Sequence, residues 1–451
     1  MRRPDIRSLV GGAAGLAAGV IGGVALTSVS AAGPTPLSRA PALIDAAHIP
    51  RVLTLPGEPI RLRYAIVCTP RGDGLPCDGS GTVYIRPGRS GPYSPLPLLR
   101  GDDSKDGRYF VDVPEPLASS ADGFSYYAVL RDDSSGASIS VPAGGAAAPQ
   151  FSVPLREARP VTLGRHVFGA VRNPDARVAE AGWGSRPQDL GLAGSRGLGF
   201  SGPSAFDVES DGAVDVLDSV NGRVSRWAHG RRELVPIAGP AELADFAAEA
   251  DGSFDVLDAG GTLRRYDSHG RPKWAQKVAD RTWAKLERGR SGPVVLQQPS
   301  EQWMPAAENG TPLSRAEQVH AAHAEKQLAN GHELLVERVG DAELRLAEVR
   351  GGAPLRAWRI TSETPLGEVQ LAESQGNRIV IVTRAYTDDR DEFEVLVLGG
   401  GGLVARFAVA SDSWTETAPL ARFRLVRDAL YRLRTTSSGA FVDRFDLEVL
   451  Q

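Results

Sequence analysis

The chain has 451 residues, too many for one ordinary hydrophobic core, so its length predicts two or three domains or a repeat architecture. Hydrophobic residues make up 42% and charged residues 24% of it, as in folded soluble proteins, and 51 glycines with 32 prolines indicate many turns between short strands. These turns favour an all-β protein. The 51 basic and 55 acidic residues give a net charge of -4, which provides no overall field for nucleic acid and disfavours a nucleic-acid partner.

Residues 1–32 have the pattern of an export signal. Arg2, Arg3 and Arg7 precede an uncharged stretch at residues 9–29, and small residues follow where a signal peptidase would cleave. The stretch is also long enough to cross a bilayer, so an uncleaved membrane anchor is the alternative. The sequence therefore predicts an exported protein, either secreted or in the cell envelope, whose only membrane contact is this segment if it is retained.

The next segment contains a predicted linker and the only two cysteines. Residues 33–50 are rich in proline and are expected to form a stiff linker. Cys68 and Cys77 lie in one segment rich in glycine and proline. Because two cysteines this close can join in an oxidising compartment, we predict a Cys68–Cys77 disulfide. A zinc site is disfavoured, since no histidine lies between the cysteines to complete four ligands.

Residues 51–155 are predicted to form an immunoglobulin-like β-sandwich. Short stretches of alternating apolar and polar residues recur between turns, for example at 59–66 and 108–113, and the apolar run at 124–130 is typical of a buried strand. No helical periodicity separates them, and strands at this spacing are typical of such a sandwich. The low-complexity segment 141–149 is expected to end the domain.

A repeat with a period of 40 residues follows. Residues 206–218 are echoed by residues 246–258, and each copy contains an Asp-Gly turn at the same position. Weaker copies of the turn and the strand after it begin near residues 291, 330, 375 and 427. Units of four short strands that cover their faces only against their neighbours are typical of a β-propeller. The sequence therefore predicts a six-bladed propeller over residues 160–451.

The two ends of this repeat region are expected to meet. The last copy leaves no room for a fourth strand, and residues 177–183 lie where the outermost strand of a blade belongs. We therefore predict that this N-terminal strand completes the sixth blade and closes the ring, which removes exposed strand edges. The longer spacing of the last copies predicts loops at 386–392 and 410–419.

The first copy of the repeat shows its pattern most completely. Its features are residues 202–208, the Asp211-Gly212 turn, residues 216–218 and residues 221–224. Together they resemble the NHL repeat of six-bladed propellers; the second copy fits fairly well and the other four share only the hydropathic rhythm. The resemblance implies a fold, and because NHL-like propellers include protein-binding modules, RNA-binding modules and lyases, it implies no activity.

Four aspartates of the first copy can be interpreted as a calcium site. However, Asp207, Asp211, Asp215 and Asp218 straddle a turn, and a strand directs alternate residues to opposite faces, so convergence on one ion is disfavoured. We expect Asp218 to pair with Arg223 across a hairpin instead.

A histidine pair is the strongest candidate for chemistry. On a helix His320 and His323 would share a face and could hold a metal ion, with His332 or Glu317 as a third ligand. The alternative, a short solvated helix, is favoured because helical metal sites usually space histidines four residues apart with a carboxylate between them.

The sequence favours a recognition or scaffold protein without catalysis or cofactor. It would bind a protein or glycan partner at the cell surface through the propeller, and some of the seven tryptophans could form part of that surface. The alternative is a metal-assisted propeller enzyme, a lyase or lactonase, with its site at the channel mouth. Such an enzyme needs at least three convergent His, Asp or Glu side chains around the axis.

Overall fold

The computed structural model describes residues 43–69, 78–101, 108–195, 199–238, 244–278, 285–297, 301–415 and 421–447. Within these ranges the chain is all-β, and its α-helices are only two short ones, α1 (Glu115–Ala118) and α2 (Arg315–His320). Neither is long or apolar enough to cross a membrane. The predicted export signal at 1–32, most of the linker and Cys77 lie outside the described residues, so the disulfide remains a prediction.

Two facing sheets form the N-terminal domain. Its strands are β1 (Leu43–His48), β2 (Leu53–Thr54), β3 (Arg61–Thr69), β4 (Gly79–Pro87), β5 (Ser94–Pro97), β6 (Leu99–Arg100), β7 (Arg108–Asp112), β8 (Phe124–Asp132), β9 (Ser138–Val141) and β10 (Gln150–Pro154). One sheet has the order β1-β3-β7-β6 and the other β2-β10-β8-β4-β5, with β9 beside β8. Alternate residues of β3 and β8, such as Leu62, Tyr64, Tyr126 and Leu130, fill one core between them, as the alternation predicted.

The structure differs from the sequence prediction at the start of this domain and at residues 141–149. Leu43–His48, which we placed in the linker 33–50, instead forms β1 and pairs antiparallel with β3. Residues 141–149 do not end the domain, because they connect β9 to β10, which pairs with β8. The linker was predicted from its proline content and therefore included residues 43–48. Apolar residues of that segment, such as Ala46, belong to the core of the domain.

The described residues after this domain contain six successive sheets of at least three strands, which we number I to VI. The strands before them are β11 (Arg159–Thr162), β12 (Ala176–Gly182) and the hairpin β13 (Ala193–Ser195) and β14 (Gly199–Ser201). Sheet I contains β15 (Ala205–Val208), β16 (Val214–Asp218), β17 (Arg223–Ala228) and β18 (Arg231–Pro236). Sheet II contains β19 (Ala244–Ala248), β20 (Phe254–Asp258), β21 (Thr262–Tyr266) and β22 (Pro272–Lys277).

The next two sheets are less regular. Sheet III has three described strands, β23 (Lys285–Arg288), β24 (Pro293–Gln297) and β25 (Gln302–Pro305), followed by the hairpin β26 (Ala307–Glu308) and β27 (Thr311–Pro312). Sheet IV contains β28 (Lys326–Gln327), β29 (Glu333–Val339), β30 (Glu343–Arg350) and β31 (Ala353–Thr361), with β11 as a fifth, parallel strand beside β31.

The last two sheets end the described chain. Sheet V contains β32 (Leu366–Gln375), β33 (Arg378–Tyr386), β34 (Asp391–Gly399) and β35 (Gly402–Ala410). Sheet VI contains β36 (Phe423–Val426), β37 (Ala429–Thr436) and β38 (Gly439–Asp446), with β12 beside β38. The loop expected at 386–392 is wrong, since only four residues separate β33 from β34 and the extra length lies in nine-residue strands.

The predicted repeat turns all have the same place in this architecture. Each of the six turns, near residues 211, 251, 291, 330, 376 and 427, connects the first and second strands of a sheet. The pairing predicted for the N-terminal strand is also confirmed, because Ala176–Gly182 runs antiparallel to Gly439–Asp446. First strands contact one another between sheets I and II, II and III, V and VI, and VI and I, in a propeller-like arrangement.

The connection between the domains follows the outer edges of three sheets. It contributes β11 to sheet IV, a bridge from Val171 to Ala408 at the edge of sheet V, and β12 to sheet VI. His166 fixes it midway, with Nδ1 2.7 Å from Glu394 Oε2 and Nε2 2.7 Å from Glu392 Oε2. This connection therefore attaches the N-terminal domain along the circumference of the six-sheet region.

The N-terminal domain also packs directly on sheet IV. Val52 and Leu53 donate their backbone N–H groups to Glu337 Oε2, at 3.0 and 2.6 Å. The guanidinium of Arg345 donates to both carboxylate oxygens of Glu58 at 2.6 Å. An apolar cluster surrounds these contacts and contains Val52, Leu53, Val153, Leu155, Leu335, Ala347, Val349 and Ala357. Burial of the cluster and the charged pairs fixes the two domains together.

Candidate functional site

The centre of the six-sheet region is lined by charge. The first strand of each sheet contributes at least one charged residue, and that of sheet III also contributes Arg288. In the order of sheets I to VI the others are Asp207, Asp245, Glu287, Lys326, Glu373 and Arg424. Lys326 Nζ lies 2.7 Å from Glu287 Oε2 and 3.8 Å from Glu373 Oε2, and Arg424 Nε lies 3.3 Å from Asp207 Oδ1. Arg288 Nη2 lies 3.4 Å from Asp207 Oδ2, so three cations bridge strands of different sheets at the centre.

The central aspartates are also bound by backbone groups of the next sheet. Asp207 Oδ2 accepts the N–H of Ala248 at 2.9 Å, and Asp245 Oδ2 accepts the N–H of Leu286 at 2.7 Å. The two bonds span the same 41 residues, so they are one repeated contact between neighbouring sheets. Burial raises the pKa of Asp245, and Arg424 and the backbone N–H groups of Leu286 and Phe246 oppose that rise. The arrangement fixes the sheets to one another.

Charge on Lys326 depends on its partners. Burial disfavours the ammonium, but Glu287 and Glu373 outweigh it and raise the pKa of Lys326. Because a buried charge is stable only when it is paired, the two carboxylates and the lysine stabilise one another as one unit. The central carboxylates are therefore already occupied by cationic partners of this chain.

The four aspartates considered as a calcium site do not converge. Asp211 accepts the N–H of Ala213 within its turn, and Asp215 pairs with Arg226 on the neighbouring strand. The predicted pair across the hairpin is confirmed, since Arg223 Nε lies 2.9 Å from Asp218 Oδ2. These carboxylates therefore act as turn and strand contacts.

The predicted histidine cluster is not assembled around a third ligand. His320 is the last residue of α2, whose Glu317 is held in a capping box with Ser314. His323 bonds through its backbone to Trp303, and His332 Nδ1 lies 2.6 Å from Glu348 Oε1 in sheet IV. Across the described ranges, no group of three His, Cys, Asp or Glu side chains is placed to hold a metal ion.

A cleft of about 900 Å³ opens between the N-terminal domain and sheet IV. One wall is formed by β31 and the turn before it, and the other by residues 87–90, residues 121–122 and β10 with the residues after it. Its size is in the range of sites that hold a small ligand or a short peptide. Both domains contribute to it, so it exists only while they are docked.

The cleft combines charged and apolar groups. Leu355 is 48% exposed, which is unusual for a leucine on a strand, and Phe151, which is half-buried, lies in the wall formed by the other domain. Arg89, Arg156 and Arg356 line the cleft together with Asp122 and Glu157. A surface of this kind can bind an apolar side chain and orient it through charged neighbours.

Sequence reasoning did not find this cleft. Its residues lie at 87–90, 121–122, 151–157 and 352–357, on both sides of a long stretch of chain, and none of them forms a motif. Leu355 follows a pair of glycines and lies in a strand-like hydropathic pattern. That pattern does not distinguish an exposed leucine from a leucine in the core, so the exposure of Leu355 could not be predicted.

Comparison with known proteins adds little to this geometry. No family model and no curated protein matches the sequence. Among solved structures, virginiamycin B lyase from Staphylococcus aureus is similar with 8% identity and a TM-score of 0.34, over 54% of this chain and 95% of that one. YCF48 bound to D1 peptide is similar with 11% identity and a TM-score of 0.30, over 54% of this chain and 78% of that one. The WD40 β-propeller domain of Doa1 is similar with 9% identity and a TM-score of 0.32, over 56% of this chain and 94% of that one. Scores this low transfer no activity to this chain.

Proposed function

We propose that this chain is an exported recognition protein, in which an immunoglobulin-like sandwich is fixed to a six-bladed, NHL-like β-propeller and the two together bind a protein partner without catalysis. The observation that carries the proposal is the contrast between the two concave regions. Carboxylates at the centre are occupied by Lys326 and Arg424, whereas the cleft beside Leu355 is open.

A protein partner fits the cleft better than a glycan does. The exposed apolar group in its wall is an aliphatic leucine, beside a phenylalanine that already carries a guanidinium on one face. Aliphatic and aromatic anchors surrounded by charged groups are typical of protein interfaces. Export rests on the positive N-terminus and the uncharged stretch at residues 9–29.

Site-specific photocrosslinking tests the proposal in the organism that produces the protein. A photoreactive amino acid at Leu355 lies in the cleft, and one at Leu403, which is 39% exposed at the edge of sheet V, is the matched control. We expect one discrete adduct from position 355 and none of the same mass from 403. The partner, identified by mass spectrometry and purified, should then bind the purified chain. No adduct at 355, or the same adducts at both positions, would contradict the proposal.

A further inference from the structure

Two of the three arginines that line the cleft, Arg89 and Arg156, have N–H donors that are free to bind a ligand. Arg89 is 55% exposed, and its nearest carboxylate, Glu325, is 3.8 Å away at the limit of an ion pair. Its guanidinium carbon lies 3.8 Å from the ring centre of Phe151, so the side chain is held in place by a cation–π contact. Its N–H donors therefore remain available in a fixed position.

Arg156 is the second of these arginines. Its Nη2 donates to the backbone oxygen of Ala121 at 3.1 Å, and the side chain is otherwise exposed. None of the described carboxylates lies within ion-pair distance of it. Arg156 is thus anchored at one nitrogen and leaves donors facing solvent at the cleft.

Arg356 is already satisfied. Its Nε donates to Glu348 Oε2 at 2.6 Å and its Nη1 to the backbone oxygen of Asn377 at 2.7 Å. Since Glu348 is buried, this pair is a structural contact of sheet IV, and its charge is neutralised inside the protein. Only Arg89 and Arg156 therefore present cationic donors to a ligand.

The two carboxylates of the cleft are held less firmly. Asp122 and Glu157 are both exposed, and no hydrogen bond or ion pair joins either side chain to another described residue. Formal charge alone is balanced between these acids and the two arginines. Because a preorganised group loses less entropy on binding, the fixed guanidinium groups favour an anionic ligand over a cationic one.

The shape of the cleft favours an extended segment. One edge of β31 pairs with β30 along its whole length, but at the other edge the parallel partner β11 pairs only from Trp358 onward. Among the described residues, that second edge therefore carries no partner strand at residues 353–357. An extended chain advances about 3.4 Å per residue. A segment of about five residues would therefore lie along this wall with an apolar side chain against Leu355.

We propose that the cleft binds an extended acidic segment of a partner protein, with carboxylates of the segment against Arg89 and Arg156 and an apolar side chain on Leu355. The inference rests on the proposed function, because it names the partner chemistry of the same site. Guanidinium groups bind carboxylates with paired, charge-assisted hydrogen bonds, which a hydrated lysine does not reproduce.

Selection of peptides on the purified full chain tests the inference. Random heptapeptides displayed on phage are selected on the chain, and the enriched peptides are synthesised and measured by fluorescence anisotropy. We expect Asp and Glu around one apolar residue, binding that weakens with salt, and a loss of at least about tenfold on the Arg89→Gln/Arg156→Gln variant. Arg231→Gln/Arg271→Gln, on exposed side chains outside the cleft, is the matched control and should change affinity by less than about threefold.

Several outcomes would overturn the inference. They are enrichment of basic or neutral peptides, no enrichment, or equal binding to wild type and to the Arg89→Gln/Arg156→Gln variant. All four substitutions lie on exposed side chains, so the unfolding temperature should be unchanged and a loss of binding reports the cleft. An adduct from position 355 that is insensitive to the Arg89→Gln/Arg156→Gln variant would leave the proposed function standing and reject only the acidic segment.

Discussion

Asp215 and Asp255 occupy equivalent positions in the second strands of sheets I and II, yet their surroundings differ. Asp215 accepts two hydrogen bonds from Arg226, at 2.8 and 2.9 Å. Neither carboxylate oxygen of Asp255 has a hydrogen-bond partner among the described residues, and the nearest guanidinium nitrogen of Arg265 lies 3.8 Å away. Both side chains are fully buried. One member of the repeat thus carries a complete ion pair and the other an incomplete one.

This difference predicts how the stability of an Asp255 variant depends on pH. Burial raises the pKa of Asp255 from 3.8 to about 7, so the native state holds a proton there that the unfolded chain releases. The contribution to stability is complete below pH 3.8 and is lost as the pH rises through about 7. Asp255→Asn should therefore flatten the fall in unfolding free energy between pH 4 and 7, which can reach about 4 kcal/mol.

Asp215→Asn is the comparison. It removes a carboxylate that Arg226 needs and should cost about 3 kcal/mol at neutral pH. Urea unfolding of both variants at pH 5 and pH 8 checks the pair. A steep pH dependence that survives in Asp255→Asn would show that the proton resides elsewhere.

The centre of the six-sheet region gives a second prediction. Lys326→Met keeps the length of the side chain but leaves Glu287 and Glu373 without their shared cation. Removing one partner from a buried charge network should lower the unfolding free energy by about 3–5 kcal/mol. Lys273→Met, on the exposed face of β22, is the control and should change it by less than about 0.5 kcal/mol. Equal effects of the two substitutions would mean that the central pairs contribute nothing specific.

The repeat could be predicted from the sequence because each of its turns requires particular residue types at fixed positions. Gly212 and Gly252 have φ angles of 93° and 77°, which glycine adopts readily, and the same turn places the aspartate before each of them. The strand pairing of Ala176–Gly182 was predictable for a related reason, since the last sheet lacked a fourth strand.

The docking of the domains was not readable in this way. The hydrogen bond from Val52 to Glu337 joins residues 285 positions apart, and neither residue differs in sequence pattern from an ordinary strand residue. Likewise, sheet III has only three described strands although its turn at residues 289–292 follows the repeat. Contacts between residues far apart in the sequence depend on how complete sheets pack. The periodic pattern within one sheet therefore does not predict them.

Export and the cysteines give a third prediction. The protein recovered outside the cytoplasm should begin after Ser30 or Ala32, and Cys68 and Cys77 should resist alkylation until a reductant is added. Cys68→Ser with Cys77→Ser should lower the unfolding free energy by about 2–3 kcal/mol, because the short loop is no longer closed in the unfolded chain. Both cysteines reacting without reductant in the exported protein would reject the disulfide, and an intact N-terminus would favour the membrane anchor.

The last prediction concerns the contact that forms the cleft. The side chain of Arg345 is only 3% exposed, and it donates to both oxygens of Glu58 and to the backbone oxygen of Leu53 at 3.1 Å. Arg345→Met should therefore loosen the N-terminal domain from sheet IV, and in calorimetry the domain should unfold in a separate transition at least about 5 °C lower. Arg359→Met, on the same sheet with a side chain 46% exposed, should leave the profile unchanged.

The same variant separates docking from recognition. Because the walls of the cleft belong to different domains, Arg345→Met should also weaken capture of a partner from position 355 although no residue of the cleft is altered. If the transition splits while crosslinking at Leu355 is undiminished, sheet IV alone holds the partner, and the residues at 87–90 and 151–157 take no part in binding. If neither changes, the apolar cluster around Val153 and Ala347 is sufficient to fix the domains without Arg345.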